Sequence, residues 1–341
     1  MKNLTFILSA SVILFMASCG KKNDATPGGT VPKSVTTYFA GTDGPNAVYW
    51  QNGKEHALTV NEQGGLNVFG MAVAGPDVYI TGFDGESNAV YWKNGVASVL
   101  PIYAQCVAVS GTDVYFAGWR PGTPYPAAFI KDGVYKVLPT FGGRAFPNTA
   151  AIAGNDLYFA GSDDDSSIYY TPVYWKNGTE YRLPTLTNPA FASVATMAIS
   201  GTDVYFAGYD GPSPVYWKNG VEHVLPTAAS PIPRATVSGM AISGTDIYFA
   251  GFDYQSAVYW KNGVEIKLPS LSNSSTGSSA VGIAIAGNDI YIAGIENDTT
   301  IAGQNVVSAL KSVYWKNSKP FALPLANGGN GTVTTMAVVS Y

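Results

Sequence analysis

Residues 203–226 read DVYFAGYDGPSPVYWKNGVEHVLP, and variants of this phrase recur along almost the whole chain. Each copy has a segment of the DVYFAG type, a variable loop, a segment of the VYWKNG type and, in most copies, a Leu-Pro pair. The first segment stands seven times, at residues 38–41, 77–82, 113–118, 156–161, 203–208, 246–251 and 289–294. A fixed period of roughly 36 to 47 residues indicates one supersecondary unit that is copied and stacked.

The fifth copy predicts four short antiparallel strands, at residues 194–200, 204–207, 215–218 and 221–225. Asn219 and Gly220 between two alternating apolar runs are a strong hairpin signal, because both turn residues adopt positive φ. The same pair, or Asp-Gly in the third copy, stands at residues 52–53, 94–95, 132–133, 177–178 and 262–263. Seven such sheets arranged radially form a β-propeller, so we predict an all-β, seven-bladed β-propeller with four antiparallel strands per blade.

The two ends of the repeat region lack complementary strands. The first copy begins at its second strand, residues 35–40, and the last copy ends with an unpartnered first-strand motif, VTTMAVVS, at residues 333–340. We therefore predict that the C-terminal strand closes the first blade and covers its unpaired edge. The propeller would then occupy residues 35–341.

Residues 1–18 have the pattern of a targeting segment. Lys2 precedes an apolar stretch, residues 4–16, that is too short to span a bilayer comfortably. The sequence MASC at residues 16–19 resembles a bacterial lipobox, which implies cleavage before Cys19 and acylation of that cysteine. Residues 19–34 would then be a flexible tether, and multiple acyl chains would give a stable membrane anchor. The alternative is an ordinary secretory signal with an incidental Cys19.

The composition restricts the function classes. Charged residues make up 12% of the chain and the formal net charge is −4, without a basic stripe, which argues against a nucleic-acid partner. His56 and His223 occupy equivalent positions in distant copies, so they are not expected to form a metal pair. Cys106 would be the only other thiol, so the mature fold is expected to have no disulfide. We expect a monomer.

Two sets of acidic residues repeat. An Asp in each tight first-to-second-strand turn, such as Asp203, is interpreted as a cap of backbone N–H groups in that turn. A second set follows the second strand, at Asp43, Asp84, Asp163, Asp210, Asp253 and, less closely, Glu296. These carboxylates would suit a Ca²⁺ ion or a sugar, but their presence in nearly every copy favours a role in fastening loops. No other cofactor is expected.

The copies differ mainly in their second-to-third and fourth-to-first connections, which share one side of a propeller, here called the variable face. The other side, the short-turn face, has short and nearly identical connections. Binding residues concentrate on variable loops held by a rigid scaffold. The candidate binding residues on the variable face are Trp119, Arg120, Tyr125, Arg144, Asp163, Asp164, Asp165, Tyr169, Tyr170, Arg234, Glu296 and Asp298.

Arginine with exposed aromatic rings and carboxylates suits a glycan or a peptide. The longest variable loop is expected in the seventh copy, at residues 295–312. The alternative is that these are ordinary solvated loops, with Trp119 folded over the edge of its blade.

The YFAG, VYWKNG and LP segments together resemble those of seven-bladed propeller lipoproteins of the Bacteroidetes type, over about residues 35–341. The resemblance implies an outer-membrane lipoprotein of the bacterial cell envelope and no particular activity. The leading hypothesis is a lipid-anchored binding module that meets glycan or protein. One alternative is a glycan-active hydrolase or lyase that uses Asp164 or Glu296 with Tyr170; another is a purely structural envelope protein.

Overall fold

The computed structural model confirms the seven-bladed β-propeller: seven four-stranded antiparallel sheets make up the fold. The structure describes residues 34–59, 66–84, 86, 88–122, 125–164, 170–186, 191–228, 234–273, 275–302, 305–327 and 329–341. The predicted signal peptide, Cys19 and nearly all of the tether lie outside these residues.

The strands follow the repeats. Blades 1 and 2 contain β1 (Val35–Asp43), β2 (Asn46–Gln51), β3 (Lys54–Ala57), β4 (Asn67–Ala74), β5 (Asp77–Phe83), β6 (Ala89–Lys93) and β7 (Val96–Val99). Blades 3 and 4 contain β8 (Tyr103–Ser110), β9 (Asp113–Trp119), β10 (Ala127–Lys131), β11 (Val134–Val137), β12 (Arg144–Ala153), β13 (Asp156–Asp164), β14 (Tyr170–Lys176) and β15 (Thr179–Arg182). Blades 5 and 6 contain β16 (Ala192–Ser200), β17 (Asp203–Asp210), β18 (Ser213–Lys218), β19 (Val221–Val224), β20 (Ala235–Ser243), β21 (Asp246–Asp253), β22 (Ser256–Lys261) and β23 (Val264–Lys267). Blade 7 contains β24 (Ser275–Ala286), β25 (Asp289–Ala302), β26 (Asn305–Lys316) and β27 (Lys319–Ala322), and the chain ends with β28 (Gly331–Ser340).

The C-terminal strand closes the ring as predicted. β28 pairs with β1 from Val35 opposite Ser340 to Asp43 opposite Gly331. The innermost strands of neighbouring blades contact one another around the whole circle, including β28 with β4. The first blade is therefore built from both ends of the repeat region, which leaves no blade incomplete among the described strands.

The glycine that ends each YFAG-type segment is required by a close backbone approach. In blade 5, a Cβ on Gly208 would lie 2.0 Å from the carbonyl oxygen of Ser193. The partner strand β16 has a bulge at this point, between Val194 and Thr196. A bulge bends the strand and increases its twist. All seven innermost strands have such a register shift opposite the equivalent glycine: Gly41, Gly82, Gly118, Gly161, Gly208, Gly251 and Gly294.

The tryptophan of each VYW segment packs between blades, as expected. Trp217 is fully buried, and its Nε1–H donates to the carbonyl oxygen of Pro184, the proline that ends the preceding copy, at 2.7 Å. Buried indole N–H groups need such a partner. The other indoles donate in the same way: Trp50 to Pro324, Trp175 to Pro139, Trp260 to Pro226, Trp315 to Pro269 and Trp92 to Thr59. The recurring tryptophan and Leu-Pro are thus one inter-blade contact.

The aspartate of the first turn bonds to side chains of a neighbouring turn. Asp203 Oδ1 accepts from Asn219 Nδ2 and Asp203 Oδ2 accepts from Lys218 Nζ, each at 2.8 Å. Asn219, whose φ is 51°, in turn accepts the Val204 N–H through Oδ1. The expectation of a local cap is therefore corrected: this aspartate ties together two adjacent turns of the short-turn face.

Candidate functional site

Six aromatic rings lie in consecutive contact across blades 2, 3 and 4, and we call this set the aromatic arc. Its members, in order, are Phe69, Phe83, Tyr103, Trp119, Phe146 and Tyr170, with successive ring centroids 4.8, 4.8, 6.1, 5.2 and 6.2 Å apart. All but Phe69 are partly exposed. Most contacts are edge to face, a favoured geometry for aromatic pairs.

Four rings of the arc, Phe83, Trp119, Tyr103 and Phe146, lie at two equivalent positions of the repeat. One position ends the second strand, as Trp119 does, and the other lies opposite it at the start of the first strand, as Tyr103 does. At the second position blades 3 and 4 have Tyr103 and Phe146, whereas the other blades have Asn67, Ser193, Thr236, Ser279 and Thr332. Aromatic residues at this second position are thus confined to blades 3 and 4. The line of rings continues towards Tyr209 of blade 5, whose pKa is raised by burial and by the neighbouring Tyr170.

A charged pair lies beside the arc. Arg144 Nη1 is 3.3 Å from Asp164 Oδ2, and the Arg144 guanidinium lies 5.3 Å from the ring centroid of Tyr125 and 6.0 Å from that of Phe146. Asp164 is buried, and its register partner in β14 is Tyr170. Asp164 Oδ1 and Arg144 Nε are buried without a hydrogen-bond partner. The arc therefore has polar groups at one end whose hydrogen-bonding capacity is unused.

The structure brings together five of the residues selected from the sequence. Trp119, Tyr125, Arg144, Asp164 and Tyr170 all lie within or beside the aromatic arc.

The other candidates lie elsewhere. Arg120 is exposed and its guanidinium is 6.0 Å from the ring centroid of Tyr135 in β11. Arg234 is an exposed residue just before β20 of blade 6, and Glu296 and Asp298 lie in β25 of blade 7. Asp165 and Tyr169 lie outside the described residues.

Four members of the arc, Phe69, Phe83, Tyr103 and Phe146, were missed from the sequence. Three of them lie in or at the end of predicted strands, where an aromatic residue is usually interpreted as part of the hydrophobic core. A comparison of equivalent positions among the copies would have identified Tyr103 and Phe146, because the other copies have Asn, Ser or Thr there.

Several carboxylates of the second acidic set fasten loops. Asp163 Oδ2 accepts the N–H groups of Phe141 and Gly142 at 2.8 and 2.9 Å, in the loop that arrives from blade 3. Asp43 Oδ2 accepts the Asn327 N–H at 2.8 Å in the equivalent loop of blade 1. Among the described residues, no group of three or more His, Cys, Asp or Glu side chains could hold a metal ion.

The seventh blade differs from its prediction. Residues 295–312, expected to be a long loop, mostly continue the sheet: β25 extends to Ala302 and β26 starts at Asn305. Their backbone groups pair with each other in a two-stranded extension. Glu296 Oε1 accepts the Leu271 N–H at 2.7 Å, and Asp298 accepts the Ser272 hydroxyl and forms an ion pair with Lys311. Both acids are therefore engaged in holding this extension to the incoming loop.

The arc is a surface feature. A cavity of 220 Å³ is lined by residues of blades 6 and 7, including Gln255 and Thr276, and one of 340 Å³ is lined by residues of blades 3 and 4, including Tyr115 and Lys136. Neither is lined by a member of the arc. The partly exposed rings of the arc lie at the surface of the protein, apart from these two cavities.

Comparisons with known proteins assign no family to the chain. No protein-family model matches the chain, and no curated protein matches it significantly. A chain in the crystal structure of a nidogen/laminin complex is similar at 12% identity and a TM-score of 0.44, covering 68% of the present chain and 92% of that chain. A likeness at this level says nothing about what the present chain binds. Within the described residues, no helix has the length and apolar character needed to cross a membrane.

Proposed function

We propose that this protein is a monomeric binding module of the bacterial cell envelope, anchored in the outer membrane through acylated Cys19, and that its aromatic arc binds a glycan. The observation that carries the proposal is the continuous line of rings from Phe69 to Tyr170, in which Tyr103 and Phe146 stand where the five other blades have Asn, Ser or Thr. Scaffold packing alone does not account for rings that are partly exposed and confined to a few blades.

The shape of the arc favours an extended ligand. Its five successive ring contacts span three blades on an open surface, which suits a chain of several sugar rings better than an enclosed small molecule. A sugar ring offers an apolar face that stacks on an aromatic side chain and a rim of hydroxyl groups. Next to the arc, Arg144 and Asp164 supply a donor and an acceptor for that rim.

A protein partner is the second candidate, since Trp, Tyr and Arg are the residues most enriched among interface hot spots. Trp119, Tyr125 and Arg144 are of these types and lie together. A protein partner would bind the same surface, so substitutions in the arc would affect either ligand. The identity of the captured ligand therefore decides between a glycan and a protein partner.

Catalysis on a bound glycan would need an acid and a base or nucleophile on either side of the scissile bond. Asp164 lies beside Tyr170, whereas Glu296 lies in blade 7. We therefore favour binding, and the product analysis below tests hydrolysis directly.

A glycan-array screen tests the proposal. The protein that starts at Ser34 is suitable because the propeller closes on itself through β28. We expect binding to a limited set of oligosaccharides, reduced about tenfold or more by Trp119→Ala, which corresponds to about 1.4 kcal/mol. Tyr254→Ala is the matched control, because Tyr254 is an exposed aromatic residue of blade 6 outside the arc.

Three outcomes of the screen are informative. If no glycan binds, or if Trp119→Ala and Tyr254→Ala reduce binding equally, the arc is not a glycan site. Recovery of shortened oligosaccharides after incubation would show that the protein is a glycan hydrolase or lyase rather than a binding module.

A further inference from the structure

Glu180 and Asp163 form a buried carboxyl pair within blade 4. Glu180 lies on the outermost strand β15, and Asp163 near the end of β13. Their exposed fractions are 9% and 1%. Asp163 Oδ2 is occupied by the N–H groups of Phe141 and Gly142. Asp163 Oδ1 and Glu180 Oε1 are buried and receive no hydrogen bond from a protein donor. Each carboxyl group thus has one buried oxygen without a protein donor, and both groups accept from the backbone of the same loop, through the Phe141 N–H.

Blade 5 repeats the arrangement. Glu222 Oε2 accepts the Leu186 N–H at 2.9 Å, from the loop that arrives from blade 4, and Glu222 interacts with Asp210. Glu222 is 8% exposed and Asp210 is fully buried. Blades 1 and 6 have the same residue types, with Glu55 and Glu265 holding the incoming loops through Ala326 N–H and Ala228 N–H.

A pair of buried carboxyl groups can be accommodated in two ways. Two like charges in a site of low dielectric constant repel strongly, so either one group keeps a proton or a cation lies between them. The groups that point at these carboxylates from the incoming loops are N–H donors, which repel a cation. The described residues also provide no third acidic, His or Cys ligand at either pair. A proton therefore fits the surroundings better.

We propose that Asp163 with Glu180, and Asp210 with Glu222, each share one proton at neutral pH, and that these protons fasten the loops that connect blade 3 to blade 4 and blade 4 to blade 5. One carboxyl group donates its O–H to the other, while the opposite oxygens accept N–H groups of the loop. Loss of the proton places two charges side by side and loosens the loop. The proposal concerns the fold alone and does not depend on a ligand of the aromatic arc.

The electrostatic surroundings support this assignment. Burial, followed by the charge of Asp163, raises the pKa of Glu180 to about 8, against the opposing effects of the Phe141 N–H and Arg182. Burial and Asp210 raise the pKa of Glu222 to about 7, opposed by the Leu186 N–H and the Trp217 indole.

The direction of the pH dependence follows from these raised values. The folded state holds a proton that the unfolded chain releases near pH 4.5. The stabilisation is therefore complete below that pH, decreases as the pH rises, and is lost above about 7 for Glu222 and about 8 for Glu180.

Glutamine substitutions test the proposal, because Gln has an N–H₂ donor in place of the shared proton and does not ionise. We expect Glu180→Gln combined with Glu222→Gln to raise the thermal midpoint at about pH 9 by about 2 °C or more relative to wild type. At about pH 5, where the wild-type pairs hold their protons, the difference should vanish or reverse. Glu86→Gln is the control for loss of one charge, since Glu86 is exposed in a variable-face loop.

Two results would overturn the proposal. One is a variant whose midpoint differs from wild type by the same amount at all pH values. The other is stabilisation of the wild-type protein by Ca²⁺ and its destabilisation by a chelator, if both effects are absent from the variant with the two glutamine substitutions. If the variants do not fold, infrared spectroscopy of the wild type in D₂O decides the matter: the carbonyl stretch of protonated carboxyl groups must be present at about pH 7 and disappear on raising the pH.

Discussion

The indole of Trp119 packs edge-on against Phe146, with ring centroids 5.2 Å apart and ring planes inclined at 81°. Trp119 ends the second strand of blade 3, and Phe146 lies in the first strand of blade 4. This contact joins two blades on the variable face, at the centre of the aromatic arc. Phe83 and Tyr103 form the equivalent contact between blades 2 and 3, whereas the five other blades have Asn, Ser or Thr at the position of Phe146.

We expect Trp119 and Phe146 to be energetically coupled. A double-mutant cycle with Trp119→Ala and Phe146→Ala should give a coupling energy of about 0.5–1.5 kcal/mol in urea unfolding, because the pair packs edge to face. The cycle of Trp119→Ala with Tyr254→Ala should be additive to within about 0.5 kcal/mol. Equal coupling in both cycles would show that Trp119 acts on the whole fold and not through this contact.

We expect Cys19→Ala to abolish acylation. Metabolic labelling with a fatty acid should mark the wild type and leave the variant unlabelled, and the variant should move from the membrane fraction to the soluble fraction. In the proposed function, the cysteine of the MASC segment is the acceptor of the acyl chains. Cys106→Ala is the control, because Cys106 is buried in the propeller. Label that persists in Cys19→Ala would remove the lipoprotein assignment.

We expect Gly208→Ala to destabilise the propeller by about 1–3 kcal/mol or more. The added Cβ would lie 2.0 Å from the Ser193 carbonyl oxygen, a backbone atom that moves only with the bulge. Gly329→Ala is the matched control, since its Cβ would meet no atom within 4 Å. Urea unfolding of both variants measures the difference, and equal stability of the two would contradict the steric account of the YFAG glycine.

We expect Asp203→Asn to lower the thermal midpoint at about pH 7 and to have no effect at about pH 2. The ion pair with Lys218, followed by the hydrogen bond from Asn219, lowers the pKa of Asp203 from its usual 3.8. The stabilisation is therefore present above pH 3.8 and lost as the pH falls through the lowered value.

The equivalent turn of blade 3 allows a substitution that is expected to be stabilising. It has Asp132 where the other blades have Asn, so Asp132→Asn should restore a side-chain donor to Asp113 and raise the midpoint. A lower midpoint for Asp132→Asn would show that the Asp–Asn contact is not stabilising in this fold.

We expect removal of residues 331–341 to prevent cooperative folding. Without β28, the inner edge of β1 has no partner, and the apolar side chains of Met336 and Val333 are lost from the interface between blades 7 and 1. An exposed strand edge favours aggregation. Removal of Tyr341 alone is the control, because this residue lies beyond β28 and is exposed. A truncated chain that elutes as a monomer and unfolds cooperatively would contradict ring closure.

The fold was largely predictable because each local signal was repeated. Asn-Gly turns, alternating strands and the complementary ends all agreed, and the positive φ angles and the pairing of β1 with β28 confirm them. The site was less predictable. Trp119 and Arg144 could be selected as departures from the repeat, but Phe146 is separated in sequence from its contact and resembles an ordinary strand residue.

The repeated phrase alone therefore determines the number of blades, the strands of each blade and the closing strand, since these depend on turn chemistry and alternation between near neighbours in the chain. Three features depend on the folded ring: the aromatic arc, the tie between each tryptophan and the preceding copy, and the buried pairs such as Asp163 with Glu180. Each of them joins residues from different strands or blades. Their distances are decided by how the sheets twist and pack, because that packing determines which side chains lose contact with water together.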